Sequence, residues 1–358
     1  MIIEKLRVKG FRNLLPSTID FCGGIDVLTG ENAQGKTNIL EAVHLLSTLT
    51  SFRTRKVREM MGRGEEKVIL EGDLKDRDGS SNLRVEMEKE GKRAWIDGNT
   101  PTSTAQYLKV LPSVFFGPGD MRLTGGDQLL RRRFLDRAAF DLSSLHFDIL
   151  KDYKRVLSQR NSLISQGKKD IEHWSVTLAE KGWKLFSARK KALEELAGRI
   201  TTIHYEISGG LEEIRFILKP SWDENCGEDG LCKALEESID DDISRGFTHH
   251  GPHRDRLKVL LDGRDINEHG SQGQHRTLAL SMKLSLLLWA EERGADIPLF
   301  LLDDPGSELD ERRMNFLAEF FENWHGQVMI ATVKSGEIPL KGNKKNRFHR
   351  VERGSVNH

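Results

Sequence analysis

A glycine-rich motif of eight residues near the amino terminus most strongly constrains how this chain can fold. It matches the pattern G-x-x-x-x-G-K-[ST] with Gly30, Glu31, Asn32, Ala33, Gln34, Gly35, Lys36 and Thr37. Apolar residues at 25, 27 and 28 predict a strand before the motif, and apolar residues at helical spacing over about 37–46 predict a helix after it. A strand, a tight glycine turn and a helix in this order point backbone amides at a phosphate group.

Each residue type in this motif has a physical role in binding a nucleotide. The glycines let the backbone turn inward around a phosphate, and Lys36 can reach the β- and γ-phosphates. The hydroxyl of Thr37 can ligate Mg²⁺. The alternative is a chance glycine turn before a helix, and the agreement of strand, loop and helix disfavours it. The motif therefore predicts that the chain binds ATP with Mg²⁺.

Two acidic residues follow an apolar run at 299–302. A buried strand there would place Asp303 beside the phosphate loop, where it can hold Mg²⁺ together with Thr37. Asp304 would then face the attacking water, so we assign the catalytic roles to Asp304 and Lys36. In isolation the same pattern would indicate only a buried strand that meets a solvated turn. Its functional meaning depends on the phosphate loop.

A second candidate anion site lies at the start of a helix predicted over about 272–292. The residues there are Ser271, Gln272, Gly273 and Gln274, with Ser271 at the N-cap position. The order of phosphate loop, S-Q-G-Q and acidic strand resembles the ABC-type ATPases. This resemblance implies that the signature contacts the nucleotide of a second subunit, so that ATP stabilises a homodimer. Ser307, Glu308 and Asp310 then resemble the D-loop that crosses such an interface.

Six motifs in chain order are similar to those of the RecF family of bacterial ABC-type ATPases. They occupy residues 11–13, 30–38, 51–54, 132–136, 251–255 and 271–276. The resemblance implies an α/β fold, an ABC-type head of the Rad50/SMC kind with mixed sheets around the phosphate-loop helix and a helical arm. It also implies that Arg12, Asn13 and Asn38 contribute to nucleotide binding.

The same resemblance implies a function in recombinational gap repair. Members bind DNA as ATP-stabilised dimers, at gaps or single-strand/double-strand junctions, and help RecA loading with RecO and RecR. Slow DNA-stimulated ATP hydrolysis and links to replication and SOS induction are expected. One alternative is another Rad50- or SMC-type head, which would need long heptad arms. Another is a transporter ATPase subunit, which usually carries L-S-G-G-Q and a glutamate after the Mg²⁺-binding aspartate.

Several positions depart from the family pattern or have no role that we can assign. Pro305 and Gly306 stand where two apolar residues are expected, which puts the path of the D-loop in doubt. Gly119 replaces a common glutamate. Asp304 has a shorter reach than glutamate, which leaves open a scaffold that binds ATP without turnover. The motif at 253–255, His-Arg-Asp, matches the family without a physical explanation.

The balance of charge requires any DNA site to be a local patch, since 55 basic residues match 55 acidic ones. The preferred cluster comprises Arg53, Arg55, Lys56 and Arg58. Other candidates are the clusters at 131–133, 189–191 and 341–347, the last including Lys344. We predict an ATPase lobe over 1–115 and 246–358 and a helical arm over 116–245, with a loop at 221–230.

The sequence also indicates the cellular compartment. Three cysteines are a sparse, odd count, which gives no disulfide framework and suggests a reducing compartment. No apolar stretch approaches the length of a bilayer span, and the first residues alternate as in a strand rather than a secretory signal. We therefore expect a cytoplasmic protein without a membrane partner.

Overall fold

The computed structural model describes residues 1–76, 79–168, 171–210, 212–293, 296–342 and 345–357. The elements of the first 120 residues are β1 (Ile2–Lys9), β2 (Ser17–Asp20), β3 (Ile25–Thr29), α1 (Lys36–Thr48), α2 (Val57–Met60), β4 (Val68–Lys75), β5 (Ser80–Glu88), β6 (Gly91–Ile96), α3 (Thr104–Val110) and β7 (Ser113–Phe116). The strands and the helix predicted around the phosphate loop are all present.

The middle of the chain is mainly helical. Its elements are α4 (Met121–Thr124), α5 (Gln128–Leu142), α6 (Leu145–Ser165), α7 (Glu172–Ser208), β8 (Ile214–Lys219), α8 (Gly227–Glu237), α9 (Ile239–Arg245), β9 (Arg256–Leu261), β10 (Arg264–Asp265) and α10 (Ile266–His269). The remaining elements are α11 (Gln272–Glu292), β11 (Leu299–Asp303), α12 (Pro305–Glu308), α13 (Glu311–Asn323), β12 (Val328–Thr332), β13 (Asn346–Glu352) and β14 (Ser355–Asn357).

The chain forms two compact units. The first comprises Met1–Asp120 and Met282–His358, and the second comprises Met121–Ser281. The predicted lobes differ from this division mainly at their second boundary, because residues 246–281 belong to the second unit. There β9 pairs with β8 along its whole length, which keeps this segment with the helices that precede it.

The first unit contains two sheets. One is antiparallel, in the order β2-β1-β4-β5-β6. The other has the order β14-β13-β3-β12-β11-β7, and its pairs from β13 to β7 are parallel. Strands β11 and β12 are buried at every residue, as expected for central strands of a parallel sheet. The predicted α/β fold with mixed sheets is confirmed.

Helix α1 lies in the core of the first unit. Ile39, Leu40, Val43 and Leu46 are completely buried, and the core cluster around them draws side chains from both sheets. Because α1 is packed on several sides, its first residue has a fixed position relative to the ends of β3 and β11. This packing is what holds the phosphate loop in place.

The second unit combines the predicted helical arm with a sheet in the order β10-β9-β8. Helix α7 has 37 residues, so it is about 55 Å long. The loop predicted at 221–230 is wrong in its second half, because α8 begins at Gly227. Glu228 and Asp229 in the first turn favour the helix N-terminus, and burial of Leu231 holds the helix against the unit.

Helices long and apolar enough to cross a bilayer do not occur within the described ranges.

Candidate functional site

The loop between β3 and α1 has a backbone that its glycines make possible. Gly30 has a φ of 151° and Gly35 a φ of 115°, and Ala33 is left-handed at 63°. A β-carbon at Gly30 would lie 2.3 Å from the carbonyl oxygen of Val351, which no side chain tolerates. The loop therefore curves tightly before the N-terminus of α1, whose free amides favour an anion.

Lys36 lies inside this curve. Its ammonium group donates to the carbonyl oxygens of Gly30 at 2.6 Å and Glu31 at 2.7 Å, and the residue is only 7% exposed. Burial lowers the pKa of Lys36. The charges of three carboxylates oppose this effect: Asp304, Asp303 and Glu337. The lysine is thus a buried cation with acidic groups around it.

Thr37 and Asp303 are hydrogen-bonded although they are far apart in sequence. The Thr37 hydroxyl donates to Asp303 Oδ1 at 2.8 Å. Burial raises the pKa of Asp303 to about 6; the bond from Thr37 opposes this rise, and the charge of Asp304 adds to it. A hydroxyl and a carboxylate are the oxygen ligands that Mg²⁺ prefers, and the cation would favour the ionised carboxylate. The pair therefore fits a Mg²⁺ site.

Asp304 follows β11 in a left-handed conformation, with a φ of 47°. Its amide donates to the carbonyl oxygen of Ala331 at 2.8 Å, which holds the turn on the neighbouring strand. Pro305 then occupies the first position of α12, where proline is favourable. Pro305 and Gly306, which depart from the family pattern, are thus the first residues of a short helix in the D-loop region. This region ends at Asp310, which caps α13 by accepting from the Arg313 amide at 3.0 Å.

Arg12, Asn13 and Asn38 lie beside the loop. Asn13 donates to the carbonyl oxygen of Ala33 at 3.2 Å, and Asn38 donates to Asn13 Oδ1 at 2.6 Å. Arg12 pairs through two nitrogen atoms with the carboxylate of Glu41, which is completely buried. Our sequence reasoning missed Glu41. Its signal was a single acid within the otherwise apolar stretch 39–43 of α1.

The preferred DNA cluster is exposed at all four positions, Arg53, Arg55, Lys56 and Arg58. Arg53 also donates to Asn38 Oδ1 at 2.8 Å and lies 3.5 Å from the Glu41 carboxylate, so it is part of the loop's surroundings. Two of the other clusters contain buried arginines, Arg131 and Arg189. Burial excludes these two arginines as DNA contacts, whereas Arg133, Lys190 and Lys191 of the same clusters are exposed. Lys344 of the last cluster lies outside the described residues.

The carboxyl-terminal hairpin β13–β14 contacts the loop, which our sequence reasoning also missed. In its turn, the Gly354 amide donates to the carbonyl oxygen of Gln34 at 2.8 Å, and the Arg353 amide donates to Gln34 Oε1 at 2.6 Å. Gly354 also accepts from the Leu15 amide at 3.0 Å. The turn between β13 and β14 therefore supports the phosphate loop through Gln34.

The signature forms a capping box at the start of α11. Ser271 Oγ accepts from the Gln274 amide at 3.2 Å, and Gln274 Oε1 accepts from the Ser271 amide at 2.7 Å. Gln274 also donates to Glu212 Oε1 at 2.8 Å. The side chains of Ser271 and Gln274 are therefore occupied within the second unit, at the helix end whose dipole favours an anion.

Within the motif at 253–255, Asp255 is buried and His253 is partly buried in the second unit, whereas Arg254 is exposed. His253 bridges the Tyr153 hydroxyl at 2.6 Å and the carbonyl oxygen of Thr248 at 3.0 Å. Asp255 accepts from Arg189 at 3.1 Å. These contacts give the motif a structural role. Among the described residues, no group of three or more His, Cys, Asp or Glu side chains could hold a metal ion.

The chain is similar to proteins of known family over almost its whole length. The RecF/RecN/SMC N terminal domain model matches residues 2–354. The DNA replication and repair protein RecF of Geobacter sulfurreducens is 32% identical over 362 residues, which cover 99% of each chain. RecF of Bacillus cytotoxicus is 35% identical over 370 residues, covering 99% of this chain and 98% of its own.

Solved structures extend this similarity to the fold. A RecF–ATP complex of the RecFOR pathway has a TM-score of 0.88 and 31% identity, covering 99% of this chain and 97% of its own. An SMC head bound to the C-winged helix domain of ScpA has a TM-score of 0.60 and 14% identity, covering 100% and 96%. The second similarity concerns the fold alone.

Proposed function

The chain belongs to the RecF family, and we propose that it binds DNA as an ATP-stabilised homodimer in recombinational gap repair. As a member it is a DNA replication and repair ATPase of the RecF pathway. The finer proposals are that it prefers gaps or single-strand/double-strand junctions, helps RecA loading with RecO and RecR, and contributes to SOS induction. It acts in the cytoplasm and hydrolyses ATP slowly, with stimulation by DNA.

One observation carries this proposal: the Thr37–Asp303 hydrogen bond at 2.8 Å, next to the buried Lys36. It joins the glycine motif to an acidic residue more than 260 positions later, as a shared Mg²⁺ site requires. The RecF–ATP complex, at 31% identity, supports ATP as the nucleotide. The SMC heads, at 13–15% identity, share only the fold, and nothing in the described residues favours a transporter subunit.

The proposed mechanism assigns a role to each group. The amides at the start of α1 and the Lys36 ammonium bind the phosphates, while Thr37 and Asp303 would hold the cation. When bound, Mg²⁺ would neutralise charge that develops on the phosphates. Asp304, held by its left-handed turn, orients the attacking water and accepts its proton. Asn13 and Asn38 support the loop, since their hydrogen bonds join it to the surrounding chain.

Dimerisation follows from the place of the signature at the N-terminus of α11, where the helix dipole favours an anion. We propose that Ser271, Gln272, Gly273 and Gln274 contact the terminal phosphate held by a second copy. The D-loop residues Ser307, Glu308 and Asp310 would meet their counterparts at the same interface. ATP would contact both copies only in the closed dimer, so its binding favours the closed dimer. Loss of the terminal phosphate by hydrolysis removes these contacts and weakens the dimer.

DNA binding is proposed for the exposed cluster Arg55, Lys56 and Arg58, with Arg53 linking it to the ATP site. Phosphate contacts from lysine and arginine dominate affinity for DNA and make it dependent on salt. Because Arg53 contacts Asn38 and Glu41, a rearrangement at the loop can reach this cluster. This connection provides a route by which ATP changes DNA affinity.

The test is DNA binding by fluorescence anisotropy on a gapped duplex, with ATP, ADP or no nucleotide, while light scattering follows oligomeric state. We expect ATP alone to produce both a dimer and tighter DNA binding. Lys36→Ala should abolish both effects, because it removes the buried ammonium. DNA affinity that does not respond to nucleotide, together with a constant monomer, would refute the proposed mechanism.

A further inference from the structure

Glu337 is an acidic residue near the phosphate loop that belongs to none of the recognised motifs. It follows β12, which lies between β3 and β11 in the parallel sheet. The register pairs Thr332 with Thr29 and Ala331 with Asp303. Thr332 therefore ends its strand level with the start of the phosphate loop, at the carboxyl edge where α/β sheets bind ligands.

The carboxylate of Glu337 is held by this threonine. Thr332, which is 1% exposed, donates its hydroxyl proton to Glu337 Oε2. A hydroxyl has one proton to donate, so Thr332 cannot serve a second acceptor while it serves Glu337. Glu337 is also one of the three carboxylates whose charge acts on Lys36. Its negative charge thus lies close to the group that binds the phosphates.

The same carboxylate packs on the D-loop region. A β-carbon at Gly306 would lie 2.6 Å from Glu337 Oε2 and 3.0 Å from its Cδ. Glycine at this position, where the family pattern has an apolar residue, therefore lets the carboxylate lie against the D-loop region, and any side chain here would displace it. Gly306 lies between Asp304 and Ser307, so movement of Glu337 would directly release the short helix α12.

We propose that Glu337 is a positioning residue that detects the terminal phosphate of ATP and transmits its presence to the D-loop through Gly306. The inference rests on the proposed binding of ATP at the loop. A terminal phosphate beside Lys36 repels the carboxylate and offers Thr332 another acceptor. Both effects move Glu337 away from Gly306 and free α12 for the dimer contact. ADP lacks the third phosphate and leaves the contact in place.

Glu337→Gln tests the role of the charge, because it keeps the size of the side chain and a hydrogen-bond acceptor. Titration with fluorescent ATP and ADP analogues should show a roughly tenfold gain in the ratio of ATP to ADP affinity, since the repulsion is removed. Light scattering should show that ATP drives dimerisation less than in wild type. Glu319→Gln, an exposed carboxylate on α13, is the matched control and should change neither quantity.

Gly306→Ala tests the contact from the other side. Its methyl group would push the carboxylate away without any phosphate, so dimerisation should depend less on ATP than in wild type. An unchanged affinity ratio in Glu337→Gln would overturn the inference, even if hydrolysis fell, because the residue would then act in the chemical step. Failure of the wild-type chain itself to bind ATP would instead refute the proposed function.

Discussion

Replacing Gly354 by alanine should disturb the phosphate loop from the far end of the chain. Gly354 has a φ of 79°, and an alanine β-carbon there would lie 2.1 Å from the carbonyl oxygen of Asn13. Real β-carbons essentially never approach closer than 3.0 Å, so the turn must move by about 0.9 Å. Because the contacting atom of Asn13 belongs to the main chain, no side-chain rotation can relieve the clash.

The expected cost has two parts. The left-handed backbone disfavours alanine by roughly 1–2 kcal/mol. The shift also breaks the bonds from Gly354 and Arg353 to Gln34, which contribute about 0.5–1.5 kcal/mol each. The backbone strain lowers only the stability of the fold. The loss of the hydrogen bonds lowers stability too, and it also removes the support of the loop. We therefore expect ATP affinity to fall by roughly tenfold to a hundredfold.

Gly98→Ala provides the matched control. Gly98 has a φ of 76° in the same unit, and its β-carbon would meet nothing within 4 Å. In a thermal melt both variants should lose stability from backbone strain, and Gly354→Ala should lose more because its hydrogen bonds to Gln34 also break. Only Gly354→Ala should weaken ATP binding in isothermal titration calorimetry. If a folded Gly354→Ala chain bound ATP as tightly as Gly98→Ala, the hairpin would have no part in holding the loop.

Three further predictions concern chemistry, pH and DNA. Asp304→Asn should slow ATP hydrolysis by roughly a hundredfold or more while ATP affinity stays near wild type; equal rates in a phosphate-release assay would remove Asp304 from catalysis. Burial lowers the pKa of His253 to about 4 from an ordinary 6.5, so its contribution to stability is present above pH 6.5 and is lost as pH falls towards 4. Urea denaturation should therefore show that the free energy of unfolding falls less between pH 7 and 5 in His253→Asn than in wild type, by on the order of 1–2 kcal/mol. The same pH dependence in both chains would contradict burial of the neutral ring. Charge reversal of Arg55, Lys56 and Arg58 to glutamate should reduce both DNA affinity and its salt dependence, and an intact salt slope would place the DNA elsewhere.

Much of the ATPase fold could be predicted from sequence because its signals are local. The motif at 30–37 carries its own backbone requirements, and the apolar runs of β11 and β12 indicate buried parallel strands. The helix predicted over 272–292 has the bounds observed for α11, because Ser271 and Gln274 cap it from within four residues. Wherever neighbours in the chain determine the structure, the sequence is sufficient.

Other features depend on residues that meet only after folding. Strands β13 and β14 had no recognised pattern, yet their turn supports Gln34 from more than 300 positions away. The basic residues Arg131 and Arg189 look like candidates for DNA in sequence, but each is buried in the second unit by acceptors on distant segments. The sequence could not distinguish them from exposed arginines, because a buried charge depends on partners that long-range packing brings together.

The sequence by itself determined the phosphate loop, the acidic strand and the family of this chain, since each rests on residue types at short, fixed spacings. Tertiary structure alone decided that Glu41 holds Arg12, that the carboxyl-terminal turn supports the loop, and that Glu337 touches both Thr332 and Gly306. No helical or strand periodicity in the sequence indicates which residues make these contacts. Their geometry is set by the parallel register of β3, β12 and β11 and by the packing of α1, which exist only in the folded chain.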